Sequence, residues 1–126
     1  MMEQHIRIQR FLSDIYTSSE RILIVLENVA EDEFTSDHCI NTQDIVARRL
    51  TIIGEASAAL LRKHSDFCDK HREIPLKQAR GMRNVLVHEY NDIDWLAVWN
   101  DCHRELPLLI AMIEPLLTEG KVEKRK

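Results

Sequence analysis

The spacing of the apolar residues constrains the fold more than any other feature of this sequence. Along almost the whole chain these residues recur at steps of three and four, which places them on one face of an α-helix. Only 3 glycines and 3 prolines interrupt the 126 residues, so the segments between turns must be long. Long segments with this period predict an all-α fold.

Four helices joined by short connections are predicted. The segments are a helix over 4–30, a loop over 31–33, a helix over 39–64, a loop or short helix over 65–74, a helix from Pro75 to about Tyr90, and a helix from Trp95 to Leu116. Asp94 is the expected N-cap of the last helix, and Pro107 and Pro115 are expected to kink it. Four amphipathic helices with short loops predict a four- to five-helix antiparallel up-and-down bundle. We expect one domain over residues 1–120 and a basic, flexible tail over 121–126.

The second predicted helix has a face of small residues beside its apolar stripe. The small residues are Gly54, Ala56, Ser57, Ala58 and Ala59. Small side chains allow another helix to approach closely. The sequence leaves open whether the approaching element belongs to the same bundle or to a second copy of the chain.

Charge and cysteine content limit the classes of function. A net charge of −4 argues against a protein that coats nucleic acid broadly. The charge is uneven, however: residues 70–83 carry +4 and the rest of the chain −8, so this segment either holds a phosphate or is a solvated charge run. Three widely separated cysteines favour a reducing cytoplasm. No signal peptide and no membrane-spanning segment are predicted.

Residues 80–90 concentrate side chains suited to acid–base and phosphate chemistry. On a helix, Arg83 and Tyr90 lie two turns apart and about 20° from one another. Asn84 and His88 are four residues apart and share a neighbouring stripe. Arg83 and His88 would be about 140° apart on a regular helix. They can therefore serve one cleft only if it wraps the helix edge or if the helix becomes irregular before His88.

These groups match what RNA cleavage by its own 2′-hydroxyl requires. An imidazole can take the hydroxyl proton near neutral pH, and a planar guanidinium can stabilise the charge that builds on the phosphate oxygens. One histidine cannot be base and acid in the same step, whereas a symmetric dimer brings two copies of each group to one cleft. By spacing alone, an ordinary surface ion pair at Arg83 and a helix C-terminal cap at His88 remain alternatives.

The run from Arg83 to Tyr90 resembles the R-x4-H-x-Y motif of HEPN-domain proteins, and more narrowly that of the HepT-like (DUF86) family. The flanking sequence is similar as well. Residues 52–56 match the family's I-I-G-E-A stretch, residues 74–75 and 81–84 match the run into the motif, and Trp99 with 106–107 matches the helix after it. The resemblance covers nearly the whole chain.

The resemblance implies a HEPN homodimer with a composite cleft between its two copies and metal-independent endoribonuclease activity on cellular RNA. By this resemblance, Arg83 and His88 are the expected catalytic residues, and Asn84 and Glu55 have supporting roles. Tyr90 matches the tyrosine to which a minimal nucleotidyltransferase antitoxin (MntA-type) attaches AMP, and bulk and negative charge there would block the RNA phosphate. The implied partners are RNA, this antitoxin and a second copy of the chain. No cofactor is implied.

Other features leave alternatives. A non-catalytic helical partner of a nucleotidyltransferase is the alternative function. His64, Cys68 and His71 are spaced as a metal half-site on a helix face, but no fourth ligand is apparent, and we expect no metal. Trp95 and Trp99 have the heptad spacing of core anchors, which we favour over base stacking. Within the basic segment, the candidate RNA contacts are Lys77 and Arg80.

Overall fold

The structure, a computed structural model, describes residues 2–86 and 92–118. Its α-helices are α1 (Met2–Leu26), α2 (Glu31–Phe34), α3 (Ile40–Lys63), α4 (Ser65–Lys70), α5 (Leu76–Gly81) and α6 (Trp95–Ile113). Short 3-10 helices cover Asp37–Cys39, Met82–Leu86 and Glu114–Leu116. These two stretches of chain contain no β-strand, and the all-α prediction is confirmed.

The three long helices share one core, built from the predicted apolar stripes. The fully buried aliphatic side chains are Leu12, Ile15 and Ile22 of α1, Val46, Leu50, Ile53 and Leu60 of α3, and Val98, Leu106, Leu109 and Ile113 of α6. Burying each of them contributes roughly 1.5–3 kcal/mol relative to leaving it in water. These stripes therefore hold α1, α3 and α6 together.

The long helices run up and down, as predicted. The Phe11 ring of α1 lies beside the His64 ring at the end of α3, with centroids 6.1 Å apart, so α1 and α3 are antiparallel. The side-chain amide of Gln9 donates to the Leu116 carbonyl at 2.8 Å, and its Oε1 accepts from the Thr118 N–H at 3.0 Å. The end of α6 therefore lies beside the start of α1.

An aromatic cluster lies at the other end of the bundle, around Phe34. Residues 31–33 are the first turn of α2 rather than the predicted loop, because three carboxylates favour the positive end of a helix dipole. Phe34 is fully buried, and its ring lies 5.6 Å from the rings of Trp95 and Trp99, measured between centroids. Gln43 donates to the Phe34 carbonyl at 2.7 Å. Both tryptophans thus anchor the core, as predicted.

The last two predicted helices have different outcomes. The third is shorter than predicted: α5 starts directly after Pro75, ends at Gly81 and continues as a 3-10 helix to Leu86. Glycine has a poor helix propensity, which favours this change of geometry. Asp94 caps α6 by accepting from the Ala97 N–H at 3.1 Å, as predicted.

The prolines of the last helix also differ from one another. Pro107 lies within α6, where the predicted kink stays a prediction. Pro115 lies in the 3-10 helix that follows α6, because it has no N–H to continue the α-helical ladder. Among the described helices, none is long and apolar enough to cross a lipid bilayer. The predicted tail over 121–126 lies outside the described residues.

Candidate functional site

Arg83 is carried by a tight turn that packs against α3. This turn, Met82–Leu86, is hereafter the Arg83 turn. Met82 is buried and fixes the turn to the core, whereas Asn84 is exposed. The regular α-helix ends before Arg83, so the angular separation expected between Arg83 and His88 on a regular helix does not apply. His88 and Tyr90 lie outside the described residues, and their predicted roles stay predictions.

The aliphatic stem of Arg83 packs directly on Gly54 of α3, and this contact is hereafter called the seat of Arg83. A Cβ placed on Gly54 would lie 2.8 Å from Cδ of Arg83 and 2.9 Å from its Cβ and Cγ. Real Cβ atoms essentially never come so close to other carbons, so only glycine leaves room for the arginine stem. At this position the small-residue face of α3 accepts an element of the same chain, which is one of the two alternatives left open by the sequence.

Within residues 2–86 and 92–118, the guanidinium of Arg83 has no hydrogen-bond or ion-pair partner. The side chain is half-buried. The alternative of an ordinary ion pair therefore finds no partner within 2–86 and 92–118. A fixed stem that ends in a planar fork of donors suits bidentate binding of a phosphate.

Two further cations continue the line of Arg83 along α5. Lys77, Arg80 and Arg83 are each three residues apart, a spacing that places side chains on one face of an α-helix and eclipses them in a 3-10 helix. Lys77 and Arg80 are exposed and have no ion-pair partner in the described part of the chain. Arg72, from the same basic segment, instead lies 3.7 Å from Asp69. The row of three cations is therefore available to a polyanion.

Glu55 faces a different side of α3 from Arg83. It follows Gly54 directly and so points about 100° away around the helix. It is exposed and lines an open cavity of about 540 Å³ between α1 and α3. No ion pair joins Glu55 to Arg83 in the described chain. Within one copy, the structure does not bring these two predicted site residues together.

His64, Cys68 and His71 do not converge on one point. The Cys68 thiol donates to a backbone carbonyl of α3 at 3.4 Å, and Nδ1 of His71 lies 3.3 Å from the Glu73 carboxylate. Burial raises the pKa of the Cys68 thiol, which disfavours the thiolate that a metal requires. The described residues contain no group of three or more side chains placed to hold a metal ion.

The role of Gly54 as a seat was missed by the sequence reasoning, which placed it only in the small-residue face. A signal was available. Glycine inside a helix costs about 1 kcal/mol relative to alanine, so an isolated glycine within a long predicted helix indicates a close contact.

The all-α up-and-down bundle is consistent with the helical bundle of the HEPN class. A family model described as "Ribonuclease HepT-like" matches residues 9–116. The chain belongs to this family.

Relatives from archaea and bacteria cover most of the chain. "Putative RNase MJ1216" of Methanocaldococcus jannaschii is 33% identical over 118 residues, which is 92% of this chain and 93% of that protein. "Probable ribonuclease HepT" of Thermococcus cleftensis is 35% identical over 103 residues, 72% of this chain and 91% of that protein. "Putative RNase TTE0752" of Caldanaerobacter subterraneus is 28% identical over 111 residues, 88% of this chain and 95% of that protein. No solved structure matches the chain.

Proposed function

We propose that this chain is a metal-independent endoribonuclease toxin that cleaves cellular RNA, either tRNA or mRNA, in a cleft between two copies of the chain. Membership of the HepT-like ribonuclease family and relatives named as ribonucleases support the endoribonuclease activity. The observation that carries the proposal is the seating of Arg83, whose stem lies on Gly54 while its guanidinium has no partner among the described residues.

The proposed reaction is an internal transesterification. The RNA 2′-oxygen attacks the adjacent phosphorus, the bond from phosphorus to the 5′-oxygen breaks, and the products are a 2′,3′-cyclic phosphate and a 5′-hydroxyl. His88 takes the 2′-hydroxyl proton, and a proton must reach the leaving 5′-oxygen in the same event. Arg83 stabilises the extra negative charge on the phosphate oxygens in the transition state.

A two-fold dimer answers the need for both a base and an acid. The His88 of one copy acts as base while the His88 of the other acts as acid, and each Arg83 contributes to the same cleft. In this proposal Asn84 and Glu55 support the catalytic pair. Because Glu55 points away from Arg83 in its own copy, its supporting contact would be made across the dimer interface. Lys77 and Arg80 would bind the RNA backbone leading into the cleft.

The experiment is cleavage of total RNA by the purified chain in EDTA. We expect Arg83→Ala and His88→Ala each to lower the rate by at least about 100-fold, as when one preorganised transition-state donor is lost. Arg21→Ala is the matched control, since Arg21 is exposed on α1 away from the Arg83 turn. Products should carry cyclic phosphate ends. An inert wild-type chain that binds a nucleotidyltransferase tightly would instead support the non-catalytic alternative.

Regulation is proposed to act at Tyr90. A nucleotidyltransferase antitoxin transfers AMP from ATP to the Tyr90 hydroxyl: the tyrosine oxygen bonds to the α-phosphorus, the α–β phosphoanhydride bond breaks, and pyrophosphate and the hydroxyl proton leave. The added phosphate repels the RNA phosphate from the cleft. After co-expression with the antitoxin in the cytoplasm, intact mass should rise by one AMP or a few, and Tyr90→Phe should show no rise. A wild-type chain without any such increment would remove this part of the proposal.

A further inference from the structure

A cavity lined by several basic residues lies at one end of the bundle. It opens between the start of α1 and the end of α3, and its volume of about 640 Å³ falls within the range of ligand pockets. Its lining includes Glu3, Arg7, Arg10, Phe11, Lys63 and His64. The proposed cleavage reaction uses none of these residues.

The charge of this cavity favours an anion. Glu3 lies 3.4 Å from Arg7 in an exposed ion pair, which neutralises one of the three cations. Arg10 and Lys63 are exposed and have no ion-pair partner within the described stretches. Two unpaired cations on different helices therefore face one cavity, and a ligand phosphate can accept from both.

His64 distinguishes the cavity from an ordinary charged surface. The residue is only 7% exposed, and its Nδ1 is buried without a hydrogen-bond partner among the described residues. A hydrogen on Nδ1 would have no acceptor among the described residues, which favours the tautomer with its hydrogen on Nε2. The ring lines the cavity, and Nε2 has no partner in the described chain, so its N–H is available to a ligand there.

We propose that this cavity binds a phosphate and its neighbouring base from an RNA strand, as a holding site separate from the cleavage site. The phosphate accepts from Arg10, Lys63 and the Nε2–H of His64. The half-buried ring of Phe11 supplies an apolar surface on which a base stacks. The inference rests on the proposed function in taking RNA as the ligand.

The cavity that would hold RNA lies apart from the site at Arg83 where cleavage is proposed. Lys63 follows Gly54 by nine residues, which is about 14 Å along α3 and about 180° around it. The cavity and the seat of Arg83 therefore lie on opposite faces of that helix. Loss of the holding site should weaken RNA binding and raise KM, while kcat stays unchanged.

The test measures binding of a single-stranded RNA whose 2′-hydroxyls are methylated, which removes the attacking group and keeps the probe intact. Fluorescence anisotropy at several salt concentrations compares wild type with Arg10→Gln and Lys63→Gln. Arg21→Gln is the control, because it removes one exposed charge from α1 outside the cavity. We expect each cavity variant to raise Kd about tenfold, as for one lost charge-assisted hydrogen bond. The slope of log Kd against the logarithm of salt concentration should fall by about 0.7 for each phosphate contact removed.

The outcomes separate this inference from the proposed function. Cavity variants that bind RNA as Arg21→Gln does would overturn the holding site, whether or not the wild type cleaves RNA. A wild type that binds through Arg10 and Lys63 but never cleaves would support the holding site and contradict the nuclease. AMP that shifts the imidazole NMR signals of His64, with RNA affinity unaffected by the variants, would mark a mononucleotide site and overturn the RNA assignment.

Discussion

Substituting Gly54 by alanine tests the seat of Arg83 directly. The new Cβ would lie 2.8–2.9 Å from three carbons of the Arg83 stem. Carbon atoms in contact prefer about 3.5–4.0 Å, so the stem must move by about 1 Å. One of the three carbons is the Cβ of Arg83, which moves only with its backbone, so the turn itself must shift.

The expected magnitudes follow from two opposing contributions. Replacing glycine by alanine within a helix normally stabilises by about 1 kcal/mol. Overpacking a filled contact costs about 1–3 kcal/mol. The net change in the free energy of unfolding should therefore lie between about zero and a loss of 2 kcal/mol. Activity should suffer more, because displacing a catalytic group by 1 Å can cost about 100-fold in rate.

The assay pairs urea unfolding with kcat/KM for RNA cleavage. Gly81→Ala is the matched control, since a Cβ there would meet nothing within 4 Å. It should stabilise the chain by about 0.5–1 kcal/mol without crowding the stem of Arg83. If Gly54→Ala is as stabilising as Gly81→Ala and keeps full activity, the stem of Arg83 does not rest on Gly54 and the reasoning is refuted.

Three further predictions concern stability. Asp94→Ala removes the cap on the Ala97 N–H and should cost about 1 kcal/mol in urea unfolding; an unchanged midpoint would contradict the cap. Phe34→Ala should lower the free energy of unfolding by about 3–5 kcal/mol, because the ring is fully buried. A loss below about 1 kcal/mol would contradict the role of Phe34 as a core anchor. Burial, with the Asp101 charge, raises the pKa of Cys102 from 9.0 to about 12. As the pH rises, the Cys102 thiol ionises in the unfolded chain near pH 9 but in the folded chain only near pH 12. Between these two values the free energy of unfolding therefore falls by about 1.4 kcal/mol per pH unit. Unfolding measured below and above pH 9 should show this slope only above pH 9 in wild type, and Cys102→Ala should lack it.

The sequence predicted well those elements whose apolar face packs on the single core of the bundle. The stripes of α1, α3 and α6 and the Asp94 cap were confirmed because each depends on local spacing or on one neighbouring residue. The loop predicted over 31–33 was wrong because two effects favour α2: the local one of three carboxylates at its N-terminus, and the burial of Phe34 against two tryptophans more than 60 residues away.

The His64, Cys68 and His71 pattern, where no metal was expected, shows that this spacing places three side chains on one face only within a continuous helix. The metal half-site required one continuous helix. His64 is instead the C-cap of α3, with φ −134° and ψ 52°, and His71 is the C-cap of α4, with φ −132° and ψ 54°. Two breaks rotate the three side chains away from a common face. The first break agrees with the predicted end of the helix at residue 64, and the second falls within the loop or short helix predicted over 65–74.

The candidate site was predicted in part. Arg83 was identified from its motif, and its catalytic role stays a prediction. Its seat on Gly54 joins positions 29 residues apart in sequence, a contact that depends on how α5 returns along α3. The direction of Glu55 follows from its place directly after Gly54, since successive residues of a helix point about 100° apart.

The hydrogen bonds of Gln9 join the two ends of the described chain. Met2 lies seven residues before Gln9, about 10 Å along α1, and Thr118 is bonded to Gln9 itself. A short peptide linker could therefore connect these ends, and new termini could be opened in the exposed turn at Glu27 and Asn28. Such a circular permutant keeps every described helix intact and places its new termini between α1 and α2.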